Sequence, residues 1–320
     1  DVYKRQVQGI SFHVDRGETL AIVGESGCGK SLTSLAIMNL LPSKAKRSAT
    51  RLALAGEDLR PLTERQMSDI RGARMSMIFQ EPMTSLNPAY TIGSPLTEAL
   101  QRHRRVSTAE AQERAVYLLE KVGITAAKNR LGQYPHQLSG GLRQRVMIAM
   151  ALMCGPDLII ADEPTTALDV TIQAQILHLL AELQREFNMG LILITHDLGV
   201  VARVADRIAV MYAGQIVETG TSLHIFDAPT HPYTQGLLEC IPVPGKTERG
   251  APLGSIPGIV PSLIGEMRGC HFAGRCRYAR EACRTPDVIN LRKADEAGHI
   301  YRCILSPEES QANLAHEAAQ

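Results

Sequence analysis

The hydrophobic pattern predicts short buried strands that alternate with amphipathic helices. Four nearly continuous apolar runs are typical of strands buried on both faces, at residues 20–23, 75–79, 158–161 and 191–195. Three stretches carry apolar residues at helical spacing, at 107–122, 142–153 and 172–183. Buried strands that alternate with amphipathic helices indicate an α/β fold around a parallel sheet covered on both faces.

Two hairpins are predicted beside this sheet. Alternation over residues 10–14 and a turn at Asp15-Arg16-Gly17 predict a hairpin that leads into the first buried strand. Runs at 208–211 and 215–218, joined near Ala213-Gly214, predict an antiparallel pair. From about residue 226 prolines interrupt the chain, so we expect a domain over residues 1–226 and a small, irregular, cysteine-containing domain over residues 227–320.

A glycine-rich turn follows the first buried strand and opens a helix. Residues 24–31 read Gly-Glu-Ser-Gly-Cys-Gly-Lys-Ser, and this phosphate-binding loop matches the P-loop pattern in its strand–loop–helix context. Its backbone N–H groups and the helix N-terminus favour an anion. Lys30 is placed to reach the β- and γ-phosphates, and Ser31 to ligate Mg²⁺. The alternative is an ordinary glycine-rich turn.

Polar side chains follow three other strands. Asp162 and Glu163 end the run at 158–161, where an aspartate can hold the Mg²⁺ shell and a glutamate can activate water for attack on a γ-phosphate. His196 and Gln80 end two further runs and can hydrogen-bond a phosphate or the attacking water. Each alone also fits a solvated or structural residue, and their common position at strand ends favours a shared site.

A second anion site is predicted at Leu138-Ser139-Gly140-Gly141-Leu142-Arg143-Gln144-Arg145. Its serine and glycines directly precede an amphipathic helix, where backbone donors are exposed. One nucleotide does not need two such sites from one subunit. Two subunits arranged head to tail would each complete the site of the other.

Composition narrows the class of protein. The 320 residues include 34 basic and 33 acidic side chains, and a net charge of +1 gives no overall field for nucleic acid. No apolar run approaches the length of about 20 residues that spans a bilayer, and no secretory signal opens the sequence. These features favour a soluble or peripheral protein, and the odd number of cysteines, seven, in a nucleotide-handling chain favours the cytosol.

Taken together, these motifs in this order resemble the ATP-binding subunit of ABC transporters. The resemblance implies an ATPase with a parallel-sheet core, an antiparallel β subdomain and a helical subdomain at about 83–155. It implies that Glu163, Gln80 and His196 are catalytic residues. It also implies that Asp169 belongs to the loop at the dimer contact. The implied contacts to ATP and Mg²⁺ are Gly24, Glu25, Ser26, Gly27, Cys28, Gly29, Lys30, Ser31, Leu32, Ser139, Gly140, Gly141, Gln144, Asp162 and Asp169, with Ser31, Gln80 and Asp162 around Mg²⁺.

A narrower resemblance to the oligopeptide/dipeptide importer branch covers nearly the whole chain. It rests on the sequences of residues 79–88, 165–171 and 231–234. The Thr-Thr-Ala-Leu-Asp string at 165–169 is similar to that of the first of the branch's two paralogous ATPases. The resemblance implies a heterodimer with the second paralogue, two transmembrane permease subunits contacted through residues 81–88, and a solute-binding protein outside the cell. It places the chain at the cytoplasmic face of the inner membrane. Nickel importers are the nearest alternative, and the family's adenine-stacking first strand is expected to precede this sequence.

Four of the seven cysteines lie close together in the tail, as Cys270, Cys276, Cys283 and Cys303. Their spacing lacks the Cys-x2-Cys pairs of common zinc sites and matches neither standard ferredoxin pattern. From spacing alone, unligated thiols, zinc and an iron–sulfur cluster all remain open. The string at 270–276 is similar to that of dipeptide-importer ATPases, and this resemblance implies a [4Fe–4S] cluster with a structural or redox-sensing role.

Two functions of other classes compete with an import motor. Chromosome-maintenance and ribosome-associated ATPases share the head, but they carry long coiled-coil insertions or two cassettes in one chain, and neither occurs in this sequence. A redox- or metal-responsive protein in which ATP is only regulatory is the other alternative. No residue pattern names the transported solute.

Overall fold

The computed structural model describes residues 6–80, 85–166, 168–241, 254–265, 267–285 and 289–318. Backbone contacts divide the chain into two compact units. The first unit contains residues 1–13, 20–33 and 195–320, and the second contains residues 14–19 and 34–194. The phosphate-binding loop therefore belongs to the same unit as the C-terminal third of the chain.

Three parallel strands form the centre of the second unit. They are β4 (Met75–Ile78), β5 (Leu158–Asp162) and β6 (Gly190–Thr195), and the register pairs Ile78 with Ala161 and Asp162 with Ile194. Every residue of β5 and β6 is buried, as the nearly continuous apolar runs predict. A separate small hairpin joins β2 (Ala53–Leu54) to β3 (Glu57–Asp58).

The described residues between β4 and β5 contain helices and no strand. The helices of the second unit are α2 (Glu64–Ile70), α3 (Gly93–His103), α4 (Thr108–Lys121), α5 (Ala127–Arg130), α6 (Gly140–Leu152) and α7 (Val170–Phe187). Helix α4 begins with a capping box, because the Ser107 hydroxyl accepts from the Glu110 N–H and the Glu110 carboxylate accepts from the Ser107 N–H. The predicted helix and its serine cap are confirmed.

A mixed sheet forms the centre of the first unit. Strand β1 (Thr19–Val23) pairs in parallel with β7 (Arg207–Tyr212), which pairs antiparallel with β8 (Gln215–Thr221). Two short strands, β9 (Arg292–Lys293) and β10 (Ile300–Tyr301), extend the antiparallel part at β8. Its helices are α1 (Lys30–Ile37), of which the first four residues belong to this unit, α8 (Leu198–Val204), α9 (Ser222–Asp227), α10 (Pro232–Glu239) and α11 (Pro307–Ala318).

One buried cluster joins this sheet to the C-terminal residues. Val23 of β1 and Tyr212 of β7 lie in the same cluster as Tyr233, Leu263 and Phe272. The residues before and after position 227 therefore share a core in the first unit. This is the packing that brings the tail against the phosphate-binding loop.

One sequence expectation was wrong. Residues 10–14 form no strand, although their polar and apolar residues alternate. The turn at residues 15–17 does form, and the Glu18 N–H donates to the Asp15 carbonyl at 3.2 Å. The antiparallel pair near Ala213-Gly214 is confirmed as β7 and β8. No helix within the described ranges has the length and apolarity needed to cross a membrane.

Candidate nucleotide site

The phosphate-binding loop requires its glycines. Gly24, Gly27 and Gly29 have φ values of +150°, +78° and +105°, a region that side chains rarely adopt. A Cβ on Gly24 would lie 2.1 Å from the Met211 carbonyl oxygen, whereas a Cβ on Gly27 would meet no atom within 4 Å. Gly24 is therefore needed for packing against β7, and Gly27 faces open space at an exposed part of the loop.

Lys30 is held at the loop by backbone oxygens. Its ammonium donates to the Gly24 carbonyl at 2.8 Å and to the Glu25 carbonyl at 3.1 Å, and only 5% of the residue is exposed. Ser31 and Leu32 follow it in the first turn of α1, where the positive end of the helix dipole favours an anion. Ser26 is exposed, and Cys28 is fully buried. Burial raises the pKa of the Cys28 thiol, so this cysteine stays protonated near neutral pH.

Gln80 and Glu163 meet in the second unit. The Gln80 side-chain amide donates to Glu163 Oε2 at 2.9 Å, and the Thr166 hydroxyl donates to the same oxygen at 3.1 Å. Glu163 has a φ of +45°, which is unusual for a residue with a side chain, and its N–H donates to the Ile194 carbonyl at 2.9 Å. The backbone thus holds this carboxylate in a strained conformation of the kind often found at functional sites.

The other two predicted strand-end residues lie where the sequence places them. Asp162 is the last residue of β5 and is 5% exposed. His196 directly follows β6 and is exposed. Asp162 offers a carboxylate, the type of oxygen ligand that Mg²⁺ takes in proteins.

The predicted second anion site lies at the start of α6. Ser139 caps this helix, and its hydroxyl accepts from the Leu142 N–H at 3.4 Å. A Cβ on Gly141 would lie 3.1 Å from the Ile172 side chain, so this glycine permits close packing against the start of α7. Ser139 and Gly140 are exposed, and so is Asp169, which caps α7. Gln144 is only 1% exposed, so a ligand has no access to it in this conformation.

Sequence reasoning missed a set of C-terminal contacts to the phosphate-binding loop. The Arg275 guanidinium binds both oxygens of the Glu25 carboxylate, at 2.7 and 3.0 Å, and the Glu25 N–H donates to the Tyr233 hydroxyl at 2.9 Å. No periodicity or spacing links Arg275 with Glu25, since 250 positions separate them. Residues 81–84, the first half of the predicted permease contact, lie outside the described residues.

The four tail cysteines line one cavity. Cys270, Cys276, Cys283 and Cys303 all border it, together with His231 and Phe272. Burial raises the pKa of the Cys270 and Cys276 thiols to about 11 each. In the described part of the chain, one group of potential metal ligands has its ligand atoms all within 4.8 Å of one another. It consists of His224, Asp295 and His299, and it contains none of these cysteines.

The phosphate-binding loop, the Gln80–Glu163 contact and the serine–glycine helix start can be compared with known proteins. The family model described as ABC transporter matches residues 7–166, half of the chain. The chain belongs to the ABC transporter family. A second family model, described as oligopeptide/dipeptide transporter, C-terminal region, matches residues 217–283.

Similar curated proteins cover nearly the whole chain. The dipeptide transport ATP-binding protein DppD of Bacillus subtilis is 55% identical over 306 residues, which is 95% of this chain and 90% of that protein. The oligopeptide transport ATP-binding protein AppD of the same organism is 51% identical over 305 residues, 95% of this chain and 92% of that protein. A probable peptide ABC transporter ATP-binding protein of Sinorhizobium fredii, y4tR, is 50% identical over 305 residues, with coverage of 95% and 90%.

Solved structures of ABC cassettes share the fold. The ATP-binding cassette MJ0796, in a dimeric post-hydrolysis state bound to ADP and phosphate, superposes with a TM-score of 0.60 at 28% identity, covering 68% of this chain and 90% of that chain. The Clostridium perfringens protein cbiO1 gives a TM-score of 0.61 at 27% identity, covering 69% and 84%. The α/β fold expected from the sequence, that of a P-loop ABC ATPase, is confirmed.

Proposed function

We propose that this chain is the ATP-hydrolysing motor subunit of an ABC importer for di- or oligopeptides. The observation that carries the proposal is the phosphate-binding loop, in which three glycines at positive φ and the tethered Lys30 form an anion-binding turn at the start of α1. The 217–283 match and the peptide-transport names of the relatives support the class of solute.

In this proposal residues 24–31 bind the phosphates of ATP. Lys30 exchanges its contacts with the Gly24 and Glu25 carbonyls for the β- and γ-phosphates. The Ser31 hydroxyl, the Asp162 carboxylate and the Gln80 amide oxygen would hold Mg²⁺, and the ion would supply positive charge beside the phosphates. Oxygen donors of this type fit that ion.

Glu163 is the proposed general base. Hydrogen bonds from Gln80 and Thr166 fix its carboxylate, so that it can accept a proton from the water that attacks the γ-phosphate. His196 is the proposed hydrogen-bond donor to that phosphate. Positioning and electrostatic stabilisation, rather than covalent chemistry, supply most of the catalysis in such a transfer.

A second ATPase subunit completes each site. Ser139, Gly140 and Gly141 lie at an exposed helix start, and we propose that they face the γ-phosphate bound to the partner subunit, with Asp169 at the dimer contact. The proposed partner is the paralogous ATPase, and residues 81–88 contact two permease subunits at the cytoplasmic face of the inner membrane. A solute-binding protein outside the cell delivers the peptide.

Reconstitution with the permease subunits and the binding protein tests this function. We expect peptide-loaded binding protein to stimulate ATP hydrolysis. We expect Lys30→Ala to abolish ATP hydrolysis. Stimulation by a nickel-loaded protein alone would replace the peptide with nickel as solute. Hydrolysis without any association with membrane subunits would favour an ATPase that acts outside transport.

We further propose that the four tail cysteines hold a [4Fe–4S] cluster. They border one cavity, and four thiolates are the usual ligand set of such a cluster. Zinc, which four thiolates also bind, is the alternative occupant of this cavity. A cluster would give this segment a fixed shape that its few regular elements do not supply.

Anaerobic purification with iron, sulfide and visible-absorption measurements tests the cluster. We expect iron and sulfide to be lost in Cys276→Ser and retained in Cys240→Ser, because Cys240 does not border the cavity. An iron-free, colourless and correctly folded protein would reject the cluster.

A further inference from the structure

The segment between Cys270 and Cys276 contacts the phosphate-binding loop in the first unit. We call residues 270–276 the cysteine loop. It reaches the phosphate-binding loop through Arg275, and it reaches the β7–β8 turn through His271. Neither residue has a role in the proposed hydrolysis.

Arg275 forms a partly buried ion pair with Glu25. The two terminal nitrogens of Arg275 each bind one oxygen of the Glu25 carboxylate, and the side chains are 5% and 29% exposed. Two-point contacts of this kind fix orientation as well as charge. Arg275 is itself held by the carbonyl oxygens of Ile256 and Pro257, each at 2.9 Å. The guanidinium is therefore positioned before any nucleotide binds.

The backbone of Glu25 is held from the same side. Its N–H donates to the hydroxyl of Tyr233, which is fully buried. The Tyr233 ring packs against Tyr212, with ring centroids 4.6 Å apart, and against Phe272 of the cysteine loop, with centroids 5.3 Å apart. Side chain and backbone of Glu25 are thus both fixed by residues that pack with the cysteine loop.

A second path reaches the loop through the β7–β8 turn. His271 Nδ1 lies 3.0 Å from the Ala213 carbonyl oxygen, which accepts a hydrogen bond from the ring. The next residue, Gly214, donates its N–H to the Cys28 carbonyl at 2.9 Å. The cysteine loop therefore supports the phosphate-binding loop at Glu25 and, through this turn, at Cys28.

We propose that Arg275 is a positioning residue for ATP: it neutralises and orients Glu25, so that the cysteine loop sets the affinity of the phosphate-binding loop for nucleotide. This inference rests on the proposed binding of ATP at residues 24–31. Without Arg275, Glu25 is an uncompensated negative charge within a loop that must accept a polyanion. Like charges at close range oppose binding, and salt screens the effect where the carboxylate is partly exposed.

The charge on Glu25 predicts that a second substitution restores the ATP affinity lost in the first. We expect Arg275→Gln to raise the Kd for ATP about tenfold, equivalent to about 1.4 kcal/mol. Removing the uncompensated charge as well, in Glu25→Gln/Arg275→Gln, should bring the Kd back to within about threefold of the native value. The defect of the single variant should shrink at high salt. At saturating ATP the kcat should change little, so that the loss lies in KM.

Equilibrium binding of a fluorescent ATP analogue, measured at low and high salt on the full chain, tests the proposal. The matched control is Arg277→Gln, which removes the exposed ion pair between Arg277 and Glu239 in the same segment and should leave the Kd unchanged. Arg275→Lys keeps the charge and serves as a milder variant if the glutamine variant fails to fold. It should bind ATP more tightly than Arg275→Gln does.

Three outcomes would overturn the proposal. The first is an unchanged Kd in Arg275→Gln. The second is a double variant that binds as weakly as the single variant at every salt concentration, since lost packing alone would produce that result. The third is an equally weak Arg275→Lys. Lys30→Ala separates these failures from failure of the proposed function, because it must weaken ATP binding if residues 24–31 bind ATP at all.

Discussion

Replacing Glu163 by glutamine should abolish ATP turnover and leave ATP binding intact. The carboxylate accepts hydrogen bonds from Gln80 at 2.9 Å and from Thr166 at 3.1 Å. Glutamine has nearly the same shape, and its carbonyl oxygen can keep accepting from both donors. The substitution therefore removes the negative charge and the basicity of this group, and little of its packing.

The size of the effect follows from the proposed role. A positioned general base contributes about 10²–10⁴-fold to the rate, which is about 3–5 kcal/mol of activation free energy. The two hydrogen bonds become neutral–neutral contacts, so the free energy of unfolding should change by only about 1 kcal/mol. The Kd for ATP should stay within about threefold, because a base that acts in the transition state contributes nothing to ground-state binding.

The assay is phosphate release under saturating ATP, run beside ATP binding and thermal unfolding on the same preparations. The control is Glu182→Gln, which changes an exposed glutamate of α7 that pairs with His178, and it should retain the native rate. Turnover in Glu163→Gln within about threefold of native would refute the role of Glu163. An equal loss of binding and turnover would instead indicate a binding residue.

Other predictions concern the loop and the tail. Gly24→Ala should destabilise the fold by more than about 3 kcal/mol because its Cβ would overlap the Met211 carbonyl, whereas Gly27→Ala should cost about 1 kcal/mol for its positive φ; chemical denaturation compares the two. The pKa of His231 is lowered by burial to about 4, against the nearby charge of Glu218, which raises it. Between about pH 4 and 6.5 the unfolded chain therefore binds one more proton at His231 than the folded chain does. Protonation of the unfolded chain lowers the free energy of unfolding by about 3 kcal/mol as pH falls from 6.5 towards 4, and above pH 6.5 this loss is absent. His231→Asn keeps an acceptor for the Tyr233 N–H and should flatten the pH dependence of unfolding in that window; an unchanged slope would show that His231 does not titrate there.

Local patterns predicted the second unit well, because the same residues carry both the signal and the structure. The run at 158–161 forms β5, which ends at Asp162. Ser107 caps α4, the helix that the spacing of apolar residues predicts. Residues 10–14 show the limit of such reasoning. Alternation describes a strand only when a partner strand offers hydrogen bonds, and a window of five residues carries no information about that partner.

The phosphate-binding loop could be predicted from its glycines. The contacts that the C-terminal residues make with this loop could not be predicted. Ion pairing between Arg275 and Glu25 depends on how the tail packs against β7, and residues 250 positions apart carry no shared period. The same holds for His271 and the β7–β8 turn. Long-range polar contacts between irregular segments arise from tertiary packing, so they become visible only in the folded chain.

The central claim is that the phosphate-binding loop of one subunit and the serine–glycine helix start of its neighbour close on one ATP. A structure of Glu163→Gln with ATP and Mg²⁺, assembled with its partner ATPase, tests this most directly through one distance. We predict that the Ser139 hydroxyl lies within about 3 Å of a γ-phosphate oxygen of the nucleotide bound to the other subunit. A γ-phosphate with Ser139 and Gly141 far from it and facing solvent would contradict the account.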